Sequence, residues 1–237
     1  MGLGLEHIVV SSEWEAIDRA PLHGLIMVIG AASTGKSTFA RWLLSSLEAE
    51  RTGPLAFLDG DPGQSILGPP TTLTLAATKT GERNFPPSGS SWRWFVGSTT
   101  PRGHMLTHVI GIAHLVRMAR SRGTQTIVHD TTGLVNPVHG GLTLKLAKIN
   151  LLEPDVVVAL QRAGELEPIV RLLRRRKRVR LIELACSPFV RSRDMCERRR
   201  HRSSQFTQHF AGAACLEIDT SQFTVVGAQA LIPNQIL

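Results

Sequence analysis

Residues 30–38 read Gly30-Ala31-Ala32-Ser33-Thr34-Gly35-Lys36-Ser37-Thr38. The apolar run Leu25-Ile26-Met27-Val28-Ile29 precedes them and a helical pattern from Thr38 to Leu47 follows. Few folds place a glycine-bounded loop ending in Lys-Ser between a strand and a helix. The glycines let backbone N–H groups turn toward an anion, and the helix N-terminus adds partial positive charge. The sequence therefore predicts an α/β P-loop NTPase fold in which Gly30 to Thr38 cradle a triphosphate. Lys36 is expected on the β- and γ-phosphates and the Ser37 hydroxyl on Mg²⁺.

The rest of the chain fits that start. Short apolar runs at Leu25–Ile29, Leu55–Leu58, Trp94–Val96, Thr126–His129, Val156–Leu160 and Val179–Leu184 alternate with helical patterns. The helices are expected at Thr38–Glu50, His104–Arg120, Leu142–Leu152 and Glu165–Leu173. This alternation predicts a mostly parallel sheet with helices on both faces. Residues 80–91, rich in Gly, Pro and Ser, are expected to form an exposed loop. One domain is expected over residues 1–237, with a short extension at 211–237 that adds edge strands near Cys215–Ile218 and Thr224–Val226.

In such sheets ligands bind beyond the carboxyl ends of the strands. Four runs end in polar residues: Asp59-Gly60-Asp61-Pro62-Gly63-Gln64, Gly97-Ser98-Thr99-Thr100-Pro101, Asp130-Thr131-Thr132-Gly133 and Gln161-Arg162. Phosphoryl transfer needs a metal, a charge clamp and a group that deprotonates the nucleophile. Of Asp59 and Asp61, one can support Mg²⁺ and the other can take a proton from an attacking hydroxyl. Asp130 follows a hydrophobic strand, where an acid supporting Mg²⁺ is expected. Thr99, Thr100, Thr131 and Thr132 offer hydroxyls. His104, His108 and His114 share one helix without a second ligand group nearby, so they read as satisfied helix histidines rather than a zinc site.

Charge is unevenly spread. Residues 171–202 hold twelve Arg, one Lys and three acids, a local net of +10, which leaves −2 for the rest of a chain whose total is +8. That pattern points to a polyanionic partner. Within it Arg198, Arg202, Phe206 and Phe210 are spaced by four, one face of a helix at about 190–210. The phenylalanines are expected to root this arginine-rich lid on the core while the arginines overhang the triphosphate. Arg174 to Arg178 lie outside that register and are expected to add backbone affinity. Three cysteines without a C-x-x-C pair argue for a reducing compartment. No run is long enough to span a membrane, and early acids (Glu6, Glu13, Glu15, Asp18) do not suit a signal peptide. The expectation is a cytoplasmic protein with no membrane contact.

The motifs together resemble the polynucleotide 5′-hydroxyl kinase family, which includes the RNA kinase of the pre-mRNA cleavage complex and the nucleolar pre-rRNA processing kinase. The resemblance rests on Ile29–Thr38, Leu58–Ser65 with Gly68–Thr72, Gly97–Pro101, Asp130–Val135, Lys148–Asn150, Pro154-Asp155, Ala159–Arg162, Glu165–Glu167 and the arginine helix ending at Phe210. It implies transfer of the γ-phosphate of ATP, with Mg²⁺, to the 5′-OH end of an RNA or DNA single strand. It matches Asp61 to the general base, in an Asp-x-x-Gln element completed by Gln64, and Lys36 and Ser37 to the phosphate and metal contacts. Asp130 to Val135 match the segment that clasps the substrate, with Thr131, Thr132, Gly133 and Leu134 at its centre. Arg193, Arg198 and Arg202 match the lid arginines, Arg191 competing with Arg193. Thr99, Thr100, Gln161 and Arg162 complete the expected substrate contacts. Leu134 stands where the cleavage-complex kinases carry Trp. The chain looks like the kinase core without the flanking domains of the eukaryotic members, so no protein partner is carried over. A GTP-binding regulator would carry Asn/Thr-Lys-x-Asp after a late strand; Ala159-Leu160-Gln161-Arg162 stands there instead. A non-catalytic nucleic-acid-binding subunit is the remaining alternative.

Overall fold

A computed structural model describes residues 8–79, 81, 84–187, 189–192 and 194–217. In chain order the elements are α1 (Ser12–Glu15), β1 (Gly24–Gly30), α2 (Lys36–Glu50), β2 (Leu55–Gly60), β3 (Thr72–Ala77), β4 (Ser91–Phe95), α3 (Met105–Ser121), β5 (Thr126–Thr131) and a 3₁₀ turn (Pro137–His139). They continue with α4 (Gly141–Leu152), β6 (Val156–Gln161), α5 (Glu167–Leu173), β7 (Arg180–Ala185) and α6 (Met195–His209). The strands form one seven-stranded sheet in the order β4-β3-β2-β5-β1-β6-β7. β2, β5, β1, β6 and β7 run parallel, whereas β3 is antiparallel to both β2 and β4.

Alternation along β1 shows how the layers arise. Ile26 and Val28 pack with Phe39, Leu43 and Leu47 of α2 on one face. Leu25, Met27 and Ile29 face α3, α4 and α5 on the other, through Ile112, Ile149 and Ile169. All five are fully buried, as a central parallel strand requires. Because β5 inserts between β1 and β2, the loops after those three strands meet at one edge. β4 runs antiparallel to β3, hence in the same sense as β2, so its following loop joins them.

Several expectations change. β3 was not anticipated: Leu73 and Leu75 alternate with Thr72 and Thr74, but the strand follows too closely on the Asp61 loop to stand out. The 80–91 loop is not wholly exposed, because Phe85 is buried and meets Phe57 edge-on with ring centroids 5.2 Å apart. The lid helix α6 starts later, at Met195, after a capping box between Asp194 and Glu197. Its phenylalanines do not root it. No α6 residue is buried, and Phe206 and Phe210 instead stack on each other at 6.3 Å. Cys215 to Glu217 form no strand, while Ile218, Thr224–Val226 and Arg193 fall outside the described residues. No helix among the described residues is long and apolar enough to cross a membrane.

The basic run is divided by the sheet. Arg175 to Arg178 occupy the turn that enters β7, at the edge opposite the phosphate loop, while α6 lies over that loop. Arg174 is engaged by Glu167 at 3.2 Å and Glu183 at 2.6 Å. A cleft of about 590 Å³ at this far edge is lined by Asn150, Glu153, Asp155 and Arg176 to Val179. Arg176 to Arg178, expected to add affinity for the strand, line this cleft, far from the phosphate loop and from the loops after β2, β4 and β5.

Candidate active site

The phosphate loop forms as its sequence requires. Ser33 and Gly35 take positive φ values of 55° and 89°, turning the chain toward the start of α2. Thr34 donates to the Ala31 carbonyl at 3.0 Å, and Lys36 Nζ donates to the same carbonyl at 2.5 Å. A side chain at Gly30 would strike Thr34 Oγ1 and the Leu160 carbonyl, at 2.6 and 2.7 Å. Burial pushes the Lys36 pKa down while Asp130 and Asp61 pull it up.

The acids separate into distinct environments. Asp59 is buried and its Oδ2 accepts from Ser65 Oγ (2.8 Å), Ile66 N (2.7 Å) and Leu67 N (3.0 Å). Its Oδ1 accepts from Asp61 N at 3.3 Å. Burial, with the nearby Asp130 carboxylate, pushes Asp59 up to about 7 against those donors. Both oxygens of Asp59 thus accept from the 61–67 loop, whereas Asp130 keeps an oxygen without a partner. Asp61 Oδ1 accepts from Gly63 N (2.9 Å) and Gln64 N (3.1 Å), a turn that fixes the carboxylate. Asp130 is 2 % exposed, its Oδ1 has no partner, and the Ser37 hydroxyl beside it helps draw its pKa down. Burial pushes it up to about 6, with Lys36 opposing. A buried free carboxylate oxygen beside a hydroxyl suits a hard cation such as Mg²⁺, which takes few protein ligands and keeps its waters.

The substrate-side loops converge. Gly63 lies against the Thr99 carbonyl, where a Cβ would approach to 2.3 Å. Thr99 and Thr100 therefore border the Asp61 loop. Gly133 lies against Ala32 of the phosphate loop, with a Cβ approaching Ala32 Cα to 2.8 Å. Thr131 Oγ1 donates to the Val28 carbonyl at 2.8 Å, and Thr132 Oγ1 accepts from Leu134 N at 3.4 Å. Arg162 donates to the Ser33 carbonyl, and Gln161 to Glu167 at 3.3 Å. From the lid, Arg198 reaches Ser33 Oγ at 3.3 Å, and its own carbonyl accepts from Gln64 Nε2 at 3.5 Å. Arg202 is half-buried on the same face.

Some site residues escaped the sequence reading. His201 Nε2 bonds the Ser65 carbonyl at 3.1 Å, pinning the lid to the Asp61 loop. It sits three residues after Arg198, so helical register could have found it. Cys186 donates to the Thr34 carbonyl at 3.1 Å. Lys145 donates to Thr132 O at 2.6 Å and Thr131 Oγ1 at 3.1 Å. Two lysines three apart on the otherwise apolar α4 were the available signal. The three helix histidines go separate ways. His108 is buried with Nε2 on the Gly60 carbonyl at 3.0 Å, and His114 packs on Trp94 at 5.3 Å. Among the described residues no three His, Cys, Asp or Glu side chains cluster to hold a metal.

Comparison with known proteins matches this architecture. The chain is 30% identical over 202 residues to a polyribonucleotide 5′-hydroxyl-kinase of Pyrococcus furiosus, covering 85% of this chain and 55% of that protein. A protein of the same name from Methanocaldococcus jannaschii is 28% identical over 212 residues, covering 90% and 57%. The chain thus spans about half the length of these relatives. Among solved structures, the wild-type Clp1p–Pcf11p complex superposes with a TM-score of 0.60 at 14% identity, covering 83% of this chain and 51% of that one, a likeness of fold. Residues 30–212 match the family described as mRNA cleavage and polyadenylation factor CLP1 P-loop, and the chain belongs to that family.

Proposed function

We propose that this chain transfers the γ-phosphate of ATP to the 5′-hydroxyl end of a polynucleotide, RNA being favoured by the names of its relatives. The observation that carries the proposal is the bridge made by α6. Arg198 bonds the phosphate loop while its backbone bonds Gln64, three residues after Asp61. That contact puts a cation, a carboxylate and the triphosphate cradle in one cleft, as phosphoryl transfer to a hydroxyl needs.

On this reading Asp61 takes the proton of the attacking 5′-OH, its carboxylate held by the Gly63 and Gln64 amides. Lys36 turns from the Ala31 carbonyl to the β- and γ-phosphates. Ser37 and Asp130 would hold Mg²⁺, which would supply charge neutralisation at the phosphates. Arg198 and Arg202, with Arg193, stabilise charge on the transferring group. Thr99, Thr100 and the Thr131 to Leu134 clasp border the strand. A cleft of about 450 Å³ lined by Gln161, Arg162, Cys186, Ser187 and Val190 adjoins the phosphate loop at Gly35, so on this reading it takes the nucleoside of ATP and Gln161 and Arg162 serve the nucleotide rather than the strand.

Label transfer from γ-labelled ATP to a 5′-OH oligoribonucleotide, with a free nucleoside as control acceptor, tests the proposal. Transfer to the oligonucleotide alone, abolished in Lys36→Ala, is expected. No transfer by the wild-type chain, or full transfer by the variant, would refute it.

A further inference from the structure

Lys145 and Lys148 are both fully buried on α4, an expensive place for amines. Lys148 Nζ has no hydrogen-bond partner, whereas Lys145 Nζ is committed to two: Thr132 O at 2.6 Å and Thr131 Oγ1 at 3.1 Å. Burial pushes the Lys145 pKa well down, and a neutral amine still has two N–H donors for those two acceptors. Thr131 Oγ1 in turn donates to Val28 O, two residues before the phosphate loop.

The peptide after Thr132 is planar and trans, so its carbonyl and the following N–H point in opposite directions. Lys145 draws the Thr132 carbonyl into the core, so the Gly133 N–H is turned outward. That N–H has no acceptor among the described residues. Gly133 packs against Ala32 of the phosphate loop, with no room for a side chain between them. An outward amide beside a phosphate cradle is a donor suited to an anionic oxygen.

We propose that Lys145 is a positioning residue: it fixes the 132–133 peptide so that the Gly133 N–H donates to a phosphoryl oxygen. The proposal rests on the kinase reading for its location in the cleft, and its ligand is a phosphoryl oxygen of either the nucleotide or the strand. Lys145 acts through Gly133 and does not touch the ligand.

The test measures binding without turnover. Affinity for a non-hydrolysable ATP analogue, and separately for a 5′-OH oligoribonucleotide with that analogue saturating, is compared in wild type, Lys145→Met and Lys145→Gln. Loss of the anchored donor is expected to weaken one of the two by about tenfold, the scale of one hydrogen bond. Lys145→Gln, which keeps an N–H donor, is expected to recover part of it. Weakening of the analogue alone assigns the oxygen to the nucleotide. Weakening of the oligonucleotide alone assigns it to the strand. Both affinities within twofold of wild type in a folded Lys145→Met overturn the proposal, even if its melting temperature falls. Should both variants fail to fold, the Gly133 amide resonance of the wild-type chain decides. A downfield shift on adding either ligand supports the proposal, and no shift with either overturns it. Absence of label transfer by the wild-type chain would refute the kinase reading while leaving these binding results interpretable.

Discussion

Replacing Gly133 with alanine probes the contact between clasp and phosphate loop with a single methyl group. The added Cβ would lie 2.8 Å from Ala32 Cα and 2.9 Å from Ala32 N, both backbone atoms with no rotamer to yield. Ordinary contact begins near 3.4 Å, so the two backbones must part by about 0.6 Å. Gly133 does not have a positive φ, so the effect is steric rather than torsional. A misplacement of about 1 Å between reacting groups can cost ~10²-fold in rate, and 0.6 Å therefore about tenfold. Overpacking should also remove roughly 1–3 kcal/mol of stability. The assay is label transfer at saturating ATP and oligonucleotide, with urea unfolding to confirm that the variant is native. Turnover within twofold of wild type, with ATP-analogue affinity unchanged, would refute the claim that the two loops are packed as one unit.

Asp61→Asn should keep both loop bonds through the amide oxygen and retain ATP affinity, while turnover drops ~10²–10⁴-fold; comparable turnover would remove Asp61 as the base. Arg198→Ala should lower turnover at saturating oligonucleotide, whereas Arg175→Ala with Arg178→Ala, on the opposite edge, should leave turnover and the KM of a short oligonucleotide within twofold. A matching loss in both variants would contradict the placement of the two halves of the basic run. His108 has its pKa pushed from 6.5 to about 3, first by burial and then by Lys148. The unfolded chain therefore binds a proton that the folded chain refuses, and stability falls as pH drops through that window, by up to about 3 kcal/mol at pH 4. His108→Gln keeps a donor for the Gly60 carbonyl but cannot titrate, so its melting temperature should decline less between pH 7 and pH 4; parallel curves would exclude His108 as a source of the acid loss.

The central sheet was legible because fully apolar runs such as Val156 to Leu160 admit little besides a buried strand, and because the 30–38 motif fixes what surrounds it. β3 was hidden because its buried threonines are held by tertiary packing, which a local pattern does not carry. From the residues alone either Asp59 or Asp61 could be the base, and it was the resemblance that pointed to Asp61. The fold adds that Ser65, Ile66 and Leu67 all donate to one oxygen of Asp59, while the Asp61 carboxylate accepts from the Gly63 and Gln64 amides. The spacing of Phe206 and Phe210 predicts one helical face, and the two rings stack there, but spacing does not say what that face meets. The apolar run Val179–Leu184 already divided the basic segment in sequence, but only the sheet shows that β7 carries its two parts to opposite edges.

The bare underside of α6 has a kinetic consequence. No side chain of the helix is buried, and the polar contacts from Arg198 to Ser33, from Gln64 to the Arg198 carbonyl and between His201 and the Ser65 carbonyl fasten it to the loops below. Each such bond contributes only about 0.5–1.5 kcal/mol, far less than apolar docking of a helix this long. Its amides should therefore exchange with solvent long before those of β1 or β5, through detachment of one segment rather than cooperative unfolding. On the proposed kinase reading, a cleft closed by so lightly held an element admits a polynucleotide end and lets it go on the timescale of a local fluctuation, while the loops assigned to the chemistry stay fixed to the sheet.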